Sequence, residues 1–168
     1  MPKTVDSYRF VSGVTRRMIE TWIKMEDPKS IPWAPLSKPL SECKVAMLSS
    51  GGIALKNDQP FDQEGEWQNP WWGDPSHRII PKTASTKDVE IYHLHINPAF
   101  ARQDINCLLP IQRLNELEEF GEIGSAAESH YSIMGYLPKP EEMLEKSIPA
   151  IIQQLKDEHV DVVVLVPS

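Results

Sequence analysis

Val160-Asp161-Val162-Val163-Val164-Leu165-Val166-Pro167-Ser168 closes the chain, and the class of fold turns on how it is read. A continuous β-branched run that follows a polar, helix-like segment and stops at a proline fits a strand covered on both faces, as in a parallel sheet. In open α/β sheets the chemistry lies just beyond the carboxyl ends of such strands. The sequence therefore reaches Ser168 where a site is expected to begin.

Working back from that strand, Lys139 to Glu158 (KPEEMLEKSIPAIIQQLKDE) carries Met143, Leu144, Ile148, Ile151, Ile152 and Leu155 as an apolar stripe. Pro140 and the acidic pair Glu141 and Glu142 suit a first helical turn. Pro149 is expected to kink or interrupt the helix. A second helix is expected from Ile111 to Phe120, with Gly121 ending it. A third, Ser12 to Met25, has Ser12 as N-cap and Val14, Met18, Trp22 and Met25 at helical spacing. Trp22 and Trp33 read as packing residues. Prolines 28, 32, 35 and 39 mark a connector.

Lys44 to Leu48 is a short apolar strand that runs into Ser49-Ser50-Gly51-Gly52. Small residues there suit either a plain turn or a loop that lets backbone approach a ligand. Gly52 to Lys87 shows no periodicity over about three dozen residues, and a loop of that length inside a domain is usually functional. Phe61, Trp67, Trp71 and Trp72 argue that it is ordered. Its polar centre is Asp74, His77 and Arg78. Asp74 and Arg78 either pair, or face an amino-acid-like substrate, or belong to an Asp-Pro-Ser turn capped by its own side chain. Val89 to Ile96 alternates as a strand, with Ile91, His93 and His95 on one face. His93-x-His95 can ligate metal, serve acid/base chemistry, or be structural. Asp104 and Asn106 precede a turn, and His130 and Tyr131 stand beside an apolar segment.

Together these elements give an α/β fold: three layers, a mainly parallel sheet with flanking helices, and a long ordered loop after the first strand. With 168 residues and 40% hydrophobic side chains, one domain over 1–168 is expected, residues 1–40 forming the N-terminal helix and proline-rich connector. A net charge of -7 with no basic cluster argues against nucleic acid. Cys43 and Cys107 lack zinc or disulfide spacing, and no apolar run approaches the ~18 residues of a membrane span. A soluble cytoplasmic protein, able to form a homo-oligomer, is expected.

The ordered set of motifs resembles a known family. Ser50-Gly51-Gly52-Ile53-Ala54-Leu55-Lys56, Gly73-Asp74-Pro75-Ser76-His77-Arg78, His93-x-His95, Asp104-x-Asn106, His130-Tyr131-Ser132-Ile133-Met134-Gly135 and the closing strand look like those of the glycine/sarcosine/betaine reductase selenoprotein B and D-proline reductase family. The match runs from about Lys44 to Ser168, making 41–168 a reductase-like region. The resemblance implies reductive cleavage of a small amino-acid-like or amine substrate, with a thiol reductant or partner reductase subunit and a disulfide as acceptor. It implies no separate cofactor or metal, but a selenocysteine or cysteine in the loop just after the last strand. The expectation is that the frame stops at a UGA codon for selenocysteine, and that the chain as written is inactive. In this reading His93, His95 and His130 are catalytic proton donors or orienters. Ser49, Ser50, Gly51, Gly52, Asp74, His77, Arg78, Asp104, Asn106 and Tyr131 contact substrate. A non-catalytic small-molecule or metal-binding subunit built on His93 and His95 is the alternative.

Overall fold

The strand covered on every side is the first one. The computed structural model describes residues 12–25, 30, 34–69 and 72–168, without the side chains of Glu66 and Trp67. In it β1 (Lys44–Ser49) buries Val45, Met47 and Ser49 on one face and Ala46 on the other. It sits at the centre of a five-stranded sheet. Along one side it pairs in parallel with β5 (Ser125–Ala126) and then β6 (Ser129–Ile133), and along the other with β7 (Val162–Val166). The β7 register is continuous from Val45↔Val162 to Ser49↔Val166. Beyond β6, β3 (His77–Pro81) runs antiparallel. β2 (Ile53–Leu55) and β4 (Val89–Ile91) form a separate antiparallel pair. The architecture is mixed α/β with a mostly parallel main sheet.

Two expectations about these strands need correction. The closing strand is parallel as expected, but it is not covered on both faces: Val164 is 43% and Leu165 68% exposed. It is an edge strand whose one partner among the described residues is β1. The stretch from Gly52 to Lys87 is not one long loop, since it holds β2, the short helix α2 (Glu64–Gln68) and β3. Its strands are short and irregularly spaced, so no periodicity reveals them. Phe61 is buried there as its size demands, whereas Trp71 and the side chain of Trp67 lie outside the described residues.

The helices follow local chemistry closely. In α3 (Ile111–Glu119) the buried side chains are Ile111 and Leu114. Gly121, at φ +71°, donates its amide to Glu118, and Glu122 donates to Leu117, a left-handed C-terminal cap that glycine adopts without strain. Before α4 (Ile148–Asp157) the chain forms a π turn over Met143–Ser147. Pro149 has no amide hydrogen, and the Ile148 amide donates instead to Met143 in the wider turn. The interruption expected from Pro149 takes this form. Its apolar stripe is only half covered, with Met143 and Ile151 buried but Leu144 59% and Ile152 44% exposed.

The chain divides into two compact units, Met1–Pro35 and Leu36–Ser168. The first contains α1 (Gly13–Met25), capped by Ser12, whose hydroxyl accepts the Thr15 amide at 3.1 Å. No α1 side chain is buried, and Trp22 is 63% exposed, contrary to its reading as a packing residue. Trp33 and most of the proline connector lie outside the described residues. The core of the second unit joins β1 (Val45, Met47) to Ile53, Ile80, Leu109 and Ile111.

Candidate functional site

The carboxyl ends of the three parallel strands β1, β6 and β7 meet at Ser50. β1 ends at Ser49, whose hydroxyl donates to the Leu108 carbonyl at 2.7 Å and accepts the Gly51 amide at 3.0 Å. The next amides are also engaged: Ser50 donates to Val166, Gly52 to Ile133, and Ile53 to the Ser132 hydroxyl. Ser49-Ser50-Gly51-Gly52 is thus a crossroads that laces three strand ends together, and its amides do not form an anion cradle. Gly52 has φ +60°, and a Cβ there would approach the Met134 sulfur to 2.7 Å. Ser168 donates its amide to the Ser50 hydroxyl at 2.9 Å.

His93 and His95 stand at this same place, though not on a strand. β4 ends at Ile91, after which the Tyr92 amide donates to the Gly52 carbonyl at 2.8 Å and the chain turns. The expected strand to Ile96 is therefore too long, and the two imidazoles do not share a strand face. His93 is buried and its Nδ1 accepts the His95 amide at 3.1 Å, which puts the proton of the neutral ring on Nε2. That edge lies over Gly135, where a Cβ would come within 2.7 Å of Nε2. The two rings are 6.0 Å apart and perpendicular. His95 is exposed and packs on the Tyr136 ring at 4.6 Å. Among the described residues no group of three or more His, Cys, Asp or Glu side chains is placed to hold a metal ion.

The other expected site residues have different surroundings. Asp74 is buried and accepts the Asp62 amide at 2.8 Å, the Ser76 amide at 2.8 Å and the Ser76 hydroxyl. This is the self-capped Asp-Pro-Ser turn. Arg78 reaches the same hydroxyl and donates to the carbonyls of Gln59, Pro60 and His77, while its guanidinium lies 4.2 Å from the Phe61 ring centre. The Ser76 hydroxyl thus links Asp74 to Arg78. His77 begins β3 opposite Ile133, at the same end of the sheet as Ser50. Burial and the neighbouring Arg78 charge lower its pKa. Asp104 is exposed and accepts both the backbone and side-chain amides of Asn106 at 3.0 and 2.7 Å, which holds its carboxyl below the usual range. This pair caps the 3-10 turn Ile105–Cys107.

His130 and Tyr131 are fully buried within β6. His130 Nδ1 accepts the Met47 amide at 3.2 Å, and burial pushes its pKa down to about 4. Among the described residues the Tyr131 hydroxyl and His130 Nε2 have no hydrogen-bond partner, and burial raises the phenol to about 12. Sequence reasoning gave no site role to Gly135 and Tyr136, which follow β6 after Met134. The signal was a glycine-aromatic pair shortly after a strand.

The strand ends, with their small residues and two histidines, lie where open α/β folds carry small-molecule sites. The chain belongs to the glycine/sarcosine/betaine reductase selenoprotein B (GRDB) family, whose model matches residues 9–168. It is 32% identical over 133 residues to the D-proline reductase subunit gamma of Acetoanaerobium sticklandii, covering 79% of this chain and 52% of that one. It is 30% identical over 105 residues to the glycine reductase complex component B subunit gamma of Carboxydothermus hydrogenoformans, covering 62% of this chain and 23% of that one. The Symbiobacterium thermophilum protein of the same name is 29% identical over 108 residues, 62% of this chain and 24% of its own length. The chain thus spans about half the length of the first of these relatives and about a quarter of the other two. No solved structure matches it.

Proposed function

We propose that the chain forms the substrate-facing part of a selenoprotein B-type reductase component, acting in thiol- or selenol-dependent reductive cleavage of a small amino-acid-like or amine substrate. The observation that carries this reading is that the Ser168 amide at the end of β7 rests on the Ser50 hydroxyl, while the Ser50 carbonyl and His93 Nε2 lie together against Gly135. A selenocysteine or cysteine supplied after β7 would enter beside Ser50, because the Ser168 amide already rests on that hydroxyl. A selenolate or thiolate there attacks the carbon bearing the amine, and the carbon–nitrogen bond breaks. A thiol then attacks the selenium or sulfur, its bond to carbon breaks and the carbon takes a proton; a second thiol frees the nucleophile, so that the thiol pair has supplied two electrons and ends as a disulfide.

His93 and His95 are the proton donors or orienters for the departing amine in this proposal, since they flank the point of entry. The Ser50 hydroxyl and the glycine backbone wall contact the substrate. Arg78, Asp74, Asp104 and Asn106 build the surrounding turns instead, as their hydrogen bonds go to their own chain. The relatives are named as subunits, which supports partner subunits and a thiol reductant here too.

Thiol-dependent amine release from a panel of small amino acids, assayed with the full-length protein and its partner subunits, tests the proposal. Turnover is expected, and His95→Ala should lower it by about 100-fold or more, the usual contribution of a positioned acid/base. Wild-type turnover in His95→Ala would overturn the assignment.

A further inference from the structure

We propose that Tyr136 is a positioning residue for His95, holding its imidazole over the carboxyl ends of β1, β6 and β7. The inference rests on the reductase reading above and adds a residue that reading does not contain. His95 lies outside any strand and is exposed, so its ring is held by surface contacts and not by a sheet ladder. The bond from its amide to His93 Nδ1 fixes the backbone at that point. The Tyr136 ring is one contact of the imidazole itself, at 4.6 Å between centres and tilted by 46°, within the range of favourable aromatic pairs.

Tyr136 is well placed to act as that support, because its own backbone is anchored on each side. Two residues earlier, Met134 bridges to Gly51. Gly135 packs without a side chain against His93 Nε2 and the Ser50 carbonyl, and Gly73 packs in the same way against the Tyr136 carbonyl and Leu137. The chain that carries Tyr136 therefore runs in a slot that two glycines leave open. A proton donor misplaced by ~1 Å can lose about 100-fold in rate, so an aromatic wall on one side of a surface imidazole has a kinetic consequence. The contact is between the two rings, which phenylalanine preserves.

The test compares Tyr136→Leu with Tyr136→Phe in the assembled reductase and in the chain alone. Tyr136→Leu should lower kcat about tenfold with KM within about twofold, and Tyr136→Phe should keep kcat near wild type. In proton NMR spectra of the chain, the His95 ring protons should show a ring-current shift in the wild type and Tyr136→Phe that disappears in Tyr136→Leu. Tyr136 is half-exposed, and amide spectra report whether each variant is folded. Wild-type kcat in Tyr136→Leu, or an equal loss in Tyr136→Phe, overturns the positioning role. Should His95→Ala itself retain full turnover, the reductase role of His95 fails and the positioning claim falls with it. A loss in His95→Ala with none in Tyr136→Leu removes Tyr136 alone.

Discussion

His130 fills a gap in a sheet. β1 pairs with β5 as far as Val45 and with β6 from Leu48, so the Met47 amide falls between two ladders and donates to His130 Nδ1. Protonating that nitrogen removes the acceptor, and burial opposes the charge; Lys82 adds to the effect while Glu158 and Glu128 partly offset it. With a folded pKa of about 4 against an ordinary 6.5, the unfolded chain binds the proton more readily. Stability from this group is therefore complete above pH 6.5 and lost as pH falls toward 4, by at most about 3 kcal/mol. His77 acts with the same sign, whereas Asp88, Asp104 and Asp161, all held below the usual 3.8, lose their contribution at lower pH. Urea denaturation at pH 7, 5.5 and 4.5 should show a steeper loss for the wild type than for His130→Gln; parallel losses would show that His130 does not titrate in this way. Sequence alone places polar groups but not their direction. His130 and Tyr131 were grouped with the pocket because they are polar beside an apolar run, yet both are fully buried within β6. Arg78 was equally ambiguous, since its carbonyl partners 18 and 19 residues earlier leave no local trace.

At the level of elements, caps and proline effects were legible and strand ends were not. Ser12, Gly121 and Pro149 each acted as their chemistry dictates, because those effects are decided within one helical turn. β4 was overextended for a non-local reason: the alternation continues to Ile96, but β2 is only three residues long and offers no partner past Ile91. One helix end carries local strain. α4 closes with His159 at φ 55°, donating to Lys156, and Val160 donating to Leu155, the same cap that Gly121 makes for α3 but with a side chain in the left-handed region. That conformation costs an ordinary residue about 1–2 kcal/mol, part of which a glycine returns through its freer unfolded chain. His159→Gly should stabilise the protein by about 0.5–1 kcal/mol in chemical denaturation, and a destabilised variant would mean that the His159 side chain makes a contact outweighing the strain.

On the scale of the molecule, the closing apolar run pointed to the mostly parallel sheet of a mixed α/β fold and misjudged which strand is central. An unbroken β-branched run signals pairing with a buried neighbour, but it cannot distinguish a strand covered on both faces from an edge strand with one exposed face. β1, shorter and less conspicuous, takes the central place because β5, β6 and β7 all pair with it. The expectation of a site at the carboxyl strand ends does not depend on that exchange, since the rule rests on strand direction and not on burial. Ser49 to Gly52, His93 and His95 follow or end strands β1 and β4, a placement that strand signals in the sequence point to. Gly135 and Tyr136 were not legible in this way, since their role depends on β6 lying beside β1. The central claim is that small amino-acid-like ligands bind at these strand ends, and the direct measurement is an amide-resolved NMR titration of the chain with a panel of small amino acids. Saturable shifts are expected at Ser50 to Gly52, His93, His95, Gly135 and Tyr136. Shifts confined to the Asp74 to Arg78 turn or to the Asp104 cap, with none at the strand ends, would contradict the account.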